Sequence, residues 1–105
     1  MNSPRSNAAE CVYDLVKHIP RGKVLTYGDI ANACLLKTPR YVGYLLHHNP
    51  DPDHIPCHRV VNSQGNCAKN FAFGFADAQE QLLKAEGVTA VNGKVDLKTH
   101  RWKMK

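Results

Sequence analysis

Two stretches decide the fold: Thr26-Tyr27-Gly28-Asp29-Ile30-Ala31 and Thr38-Pro39-Arg40-Tyr41-Val42-Gly43-Tyr44-Leu45-Leu46. Each opens on a threonine, whose hydroxyl can accept from the unpaired N–H groups of a helix's first turn. Asp29 stands three positions on, where a carboxylate suits the positive end of the helix dipole. Pro39 stands at the first helical position, where its missing N–H costs nothing. Ile30, Ala31, Cys34 and Leu35 form the expected apolar face of the first helix. Val42, Leu45 and Leu46 form the stripe of the second, and Lys37-Thr38 make the turn between them. Two short helices so joined outline a helix-turn-helix. Many small proteins share that outline, so it fixes architecture and leaves function open.

Outward toward the N-terminus, Cys11, Val12, Leu15, Val16 and Ile19 recur at helical spacing. Asn7 with Glu10 makes a capping-box-like start, so residues 1–6 are expected as a flexible tail and Pro20-Arg21-Gly22 as the helix end. Val24-Leu25 reads as a short extended link. Outward in the other direction, Asn49-Pro50 stops the second helix of the pair. Residues 49–56 form a proline-punctuated loop, Val60-Val61 is extended and Asn62-Ser63-Gln64-Gly65 is a turn. Phe71, Phe73 and Phe75 give residues 66–76 a strand-like alternation. A further helix is expected from Asp77 to Glu86, burying Leu82 and Leu83, with Gly87 as its left-handed terminator. Val88 to Leu97 reads as a hairpin around Asn92-Gly93, and Trp102 as a cover for the core. The expected fold is mainly α: a small helical domain with a helix-turn-helix (winged-helix-like) and a short C-terminal β-hairpin.

The 105 residues fit one domain, residues 1–105, and a hydrophobic fraction of 43% supports an ordinary core. No apolar run approaches a membrane span, and Met1 to Arg5 lead into no signal-type segment. A cytoplasmic protein is therefore expected, without a membrane partner. In that compartment Cys11, Cys34, Cys57 and Cys67 should be reduced thiols. Cys11 falls on a buried stripe. The formal charge of +5 is a modest argument for a polyanionic partner.

Ile55-Pro56-Cys57-His58-Arg59-Val60-Val61 carries the chemistry. Three readings of Cys57 stand open from the residues. As a nucleophile it needs the thiolate, hence a base or positive charge close by. His58 and Arg59 are adjacent, but neighbours on extended backbone point to opposite sides, so a turn or a bridging water is required. Glu86 is the candidate acid to orient the imidazole. As a metal ligand, Cys57 would join His47, His48, Asp51, Asp53, His54 and His58, although no second cysteine or regularly spaced histidine pair accompanies it. In the third reading the thiol is a core residue and His58 is simply hydrogen-bonded. Cys67 is expected to be a bystander near the aromatic segment.

The heptapeptide around Cys57 resembles the active-site signature of the O6-alkylguanine-DNA alkyltransferases (methylated-DNA–protein-cysteine methyltransferases). Gly22-Lys23-Val24 and Thr26 to Ala31 resemble the family's first helix-turn-helix helix, and Arg40-x-Val42-Gly43 its recognition helix. Asn49-Pro50 resembles its Asn hinge, and Leu82-Leu83-x-x-Glu86-Gly87 its closing helix. These occur in the family's order across roughly residues 9–87.

The resemblance implies a DNA repair protein that binds duplex DNA in the minor groove and acts once, needing no cofactor or metal. Cys57 would take the alkyl group from guanine O6. His58, oriented by Glu86, would accept the thiol proton through water, and Asn49 would hold the loops together. Arg40 would replace the extruded nucleotide, Tyr27 would act on its phosphate, and Thr26, Tyr41, Gly43, Tyr44 and Arg59 would complete the DNA contacts. Duplex DNA containing O6-alkylguanine is the implied partner of a monomer, with other repair proteins as further partners.

The family's usual N-terminal domain is expected to be absent. In this, and in the tail Asn92 to Leu97 with Arg101-Trp102, the chain is similar to the alkyltransferase-like proteins, which bind lesions and carry tryptophan where this chain has Cys57. The guanine pocket segment of the family is matched most nearly by Phe71-Ala72-Phe73, which lacks its hydroxyl donors and should stabilise the leaving guanine less well. Lesion sensing without efficient transfer is the alternative this implies.

Overall fold

The computed structural model describes residues 4–67 and 78–103. The element order is α1 (Pro4–His18), β1 (Leu25–Thr26), α2 (Tyr27–Ala33), α3 (Pro39–His47), a 3-10 turn (Cys57–Arg59), β2 (Val60–Val61), α4 (Ala78–Ala85), β3 (Ala90–Val91), β4 (Lys94–Val95) and α5 (Leu97–His100). The mainly helical reading, with a terminal hairpin, holds.

A parallel pair, β1 on β2, divides the core in two. Leu25 pairs with Val60 and Thr26 with Val61. Because strand side chains alternate, Leu25 and Val60 face one side and Val24 and Val61 the other. The first side collects Val12, Val16 and Ile19 of α1, Ile30 and Ala31 of α2, and Val42, Leu45 and Leu46 of α3, with Trp102 packed against them. The second collects Leu83, Val88, Ala90 and Val95. Cys57 belongs to the first cluster, so the thiol sits where the helix-turn-helix meets the strand pair.

The expected caps form. Thr26 Oγ1 accepts from the Asp29 N–H and Asp29 Oδ2 accepts from the Thr26 N–H, both at 3.0 Å, a complete capping box. Thr38 caps α3 with Pro39 following. Asn92 and Gly93 turn the β3–β4 hairpin at φ +53° and +76°, as a two-residue turn with both centres left-handed demands. Gly87 ends the α4 segment at φ +86°.

Four expectations are corrected. The first helix begins at Pro4 rather than Asn7, with proline's preset φ at its start, so the Asn7–Glu10 cap is not its beginning. Leu35 is 91% exposed at φ +58°. The Leu35 N–H donates to Asn32 O and the Leu36 N–H to Ala31 O, a helix ending that puts Leu35 in the left-handed position and turns it outward; Leu36 packs on the core instead. Leu82 is exposed, and Gln79, one turn before Leu83, takes the inward stripe with it. Cys11 and Cys34 are joined as a disulfide between α1 and the C-cap of α2, leaving Cys57 and Cys67 as free thiols. The two helices bring their Cα atoms to 5.9 Å, inside the range a bridge requires.

Candidate active site

Ile55-Pro56 leads into a tight turn. The Cys57 N–H donates to Ile55 O and the Arg59 N–H to Pro56 O, so Cys57, His58 and Arg59 lie on a 3-10 turn, not on extended backbone. At three residues per turn, successive side chains fan out by about 120°. Thiol, imidazole and guanidinium therefore leave in three directions.

Cys57 points into the core and is 8% exposed. Burial pushes its thiol up, while a hydrogen bond from the Asn49 side chain acts in the other direction. Asn49 is itself buried and binds the loop on both sides: its Nδ2 donates to Ile55 O and its Oδ1 accepts from the Asp51 N–H, each at 2.8 Å. One side chain thus ties the end of α3 to the residues that deliver Cys57. Tyr27, first residue of α2, lies within electrostatic reach of both Cys57 and Cys67, and burial keeps its phenol protonated. Burial and Glu80 push Cys67 up to about 11.

His58 and Arg59 converge on Glu86. His58 Nε2 lies 2.9 Å from Glu86 Oε2. Arg59 donates through Nε to Oε1 and through Nη2 to Oε2, at 2.9 and 2.7 Å, and through Nη1 to Ile19 O. Burial alone would raise the Glu86 carboxyl, but hydrogen bonds from Arg59 and His58 outweigh it and hold the group below the usual carboxylate range. An ionised carboxylate only accepts, so His58 Nε2 carries hydrogen, and in the neutral ring Nδ1 is left as the acceptor. Arg21, which the sequence did not single out, adds a longer ion pair to Glu86 and donates to Ala85 O.

Two of the expected DNA contacts face inward. Thr26 is buried, with its hydroxyl in the cap. Arg59 is 15% exposed, its guanidinium engaged with Glu86 and Ile19. The exposed face belongs to α3. Arg40 sits in its first turn, Tyr41 and Tyr44 stack with ring centroids 6.3 Å apart, and a Cβ on Gly43 would meet open space. Phe71, Ala72 and Phe73 lie outside the described residues. The metal alternative finds no geometry: His54 pairs with Asp51, and among the described residues no three His, Cys, Asp or Glu side chains come together.

The sequence also left Gln79 unremarked. Its signal was the four-residue spacing to Leu83, which puts both on the inward face of α4.

The sequence model for the DNA-binding domain of 6-O-methylguanine DNA methyltransferase matches residues 7–88. The chain belongs to this family. Among methyltransferase relatives, it is 45% identical over 83 residues to the methylated-DNA–protein-cysteine methyltransferase of Methanocaldococcus jannaschii, covering 79% of this chain and 47% of that protein. It is 38% identical over 92 residues to a bifunctional methyltransferase/endonuclease of Picrophilus torridus, covering 87% of this chain but 30% of that protein. The chain thus spans less than half the length of either. Its fold matches S. pombe Atl1, whose crystal structure holds damaged DNA containing O6-carboxymethylguanine. The TM-score is 0.84 at 34% identity, over 99% of this chain and all of that one.

Proposed function

We propose that this alkyltransferase-family protein binds duplex DNA through α2 and α3, flips an O6-alkylated guanine from the stack and takes the alkyl group onto Cys57 in one turnover. The observation that carries this reading is the Asn49–Cys57 arrangement, a thiol held by a loop clamp and packed in one cluster with the buried stripe of α3. Enzymes that act on a base inside a duplex must extrude it, at a cost of a few kcal/mol that is lowest for damaged pairs.

The chemistry balances without a cofactor. The sulfur–carbon bond to Cys57 forms as the bond between guanine O6 and the alkyl carbon breaks. The thiol proton passes through water to His58 Nδ1 and returns to the departing guanine. Glu86 stabilises the imidazolium formed in between. Arg40 fills the vacated stack, Tyr27 acts on the phosphate of the flipped nucleotide, and Tyr41, Gly43 and Tyr44 meet the groove. A thioether has no ready leaving group, so the protein acts once.

A second reading has its own support. Cys57 is held as a thiol by burial, with the His58 ring and the Arg59 guanidinium turned to Glu86. A lesion-sensing protein needs no thiolate, and the fold extends over the whole of lesion-bound Atl1. Incubation with a duplex carrying O6-methylguanine, followed by peptide mass analysis, separates the two. Transfer predicts a methyl mass on the Cys57 peptide; sensing predicts lesion-selective binding with that peptide unmodified.

A further inference from the structure

We infer that Gln79 is a positioning residue for the Cys57 turn, an inference that rests on the reading of Cys57 as alkyl acceptor. Gln79 is 1% exposed on the inward face of α4. Its Nε2 donates to His58 O at 3.0 Å and to Val60 O at 2.7 Å. Both partners are acceptors, so the amide must present its NH2 group here, and that group has two hydrogens for two carbonyls.

The placement follows from what a 3-10 turn leaves undone. The Arg59 and Val60 N–H groups bond back to Pro56 O and Cys57 O. The carbonyls of His58 and Val60 need donors from elsewhere in a buried setting, where unpaired acceptors are costly. Gln79 supplies both from one side chain. It therefore spans the junction of the turn with β2 and fixes the backbone between the thiol and the strand. Seven residues later the same α4 segment delivers Glu86, which grips the His58 ring and the Arg59 guanidinium. The backbone of the turn is held by Gln79 and its side chains by Glu86, so the imidazole cannot rotate relative to Cys57 unless one hold is released.

Two substitutions separate positioning from packing. Gln79→Met keeps the length and apolar stem and removes the donors. Gln79→Glu sets a carboxylate against two carbonyls, a repulsion relieved when the carboxyl protonates and can donate. The measurements are methyl transfer at saturating O6-methylguanine duplex, the Kd for that duplex, and amide hydrogen exchange. For Gln79→Met we expect transfer to slow at least tenfold with Kd within twofold. Protection at the Arg59 and Val60 amides should fall about tenfold while Val12 and Val16 in α1 keep theirs. Gln79→Glu should regain protection as pH is lowered, whereas Gln79→Met should not.

Unchanged protection at Arg59 and Val60, or an equal loss in α1, overturns the inference. So does Gln79→Met with a wild-type transfer rate, or Gln79→Glu with no pH dependence of its own. If the wild-type protein transfers nothing, the reading of Cys57 fails, and the exchange measurement still decides the role of Gln79.

Discussion

Arg59 and Glu86 form a bidentate ion pair, Nε to Oε1 and Nη2 to Oε2, with 15% and 8% of the two side chains exposed. The pair locks the Cys57 turn to the end of the α4 segment, and its geometry needs a planar fork rather than a point charge. Arg59→Leu leaves a mostly buried carboxylate short of its main partner, which costs about 3 kcal/mol. Urea unfolding should show that loss, and Arg59→Lys should restore less than half of it. Affinity for undamaged duplex should change less than threefold, because the guanidinium faces inward; a larger drop would return Arg59 to the DNA surface.

Acid should act through Glu86. Its carboxyl titrates below the usual value near ~4.3, so its contribution is whole above that value and is lost as pH falls through the lower folded one. The stability gap between wild type and Glu86→Gln should be constant above about pH 5 and close at more acidic pH. A gap that widens below pH ~4 would contradict the shift.

Arg40 is exposed in the first turn of α3, beside the stacked Tyr41 and Tyr44. If it fills the stack in place of a flipped nucleotide, Arg40→Ala should weaken binding to the lesion duplex at least tenfold and to undamaged duplex less than threefold. Equal losses, with a shallower salt dependence, would make it a phosphate contact only.

The Cys11–Cys34 bridge closes a loop with a sequence separation of 23 residues. Cross-linking a loop of that size removes unfolded-state entropy on the order of 3 kcal/mol. Unfolded without reductant, the protein should show two reactive thiols, and after reduction four, with a lower thermal midpoint. Four thiols before reduction would mean that the bridge does not form.

Much of this was legible in the sequence because it is local. The Thr26 and Thr38 caps, the Asn92-Gly93 turn, the Gly87 terminator and the buried stripe of α3 depend on residues within a turn of one another. What was missed depends on tertiary contact or on competition at an element's end. Leu35 satisfies helical periodicity, but α2 ends at Ala33, two residues too soon to use it. Thr26 and Arg59 were assigned to DNA through the family resemblance; their partners Asp29, Glu86 and Ile19 O turn them inward. Glu86 was readable as the partner of His58, whereas the Gln79 bonds run to backbone carbonyls that carry no residue-type signal. The Cys11–Cys34 pairing needed the α1–α2 packing.

Cys57 is the alkyl acceptor of the proposed reaction. A duplex containing one O6-methylguanine, titrated with protein and digested to nucleosides, tests it most directly. The lesion should disappear in step with added protein, one guanine restored per molecule, and Cys57→Ser should restore none while binding the lesion duplex within threefold of wild type. Undiminished O6-methylguanine in the presence of excess, lesion-bound wild-type protein would contradict it.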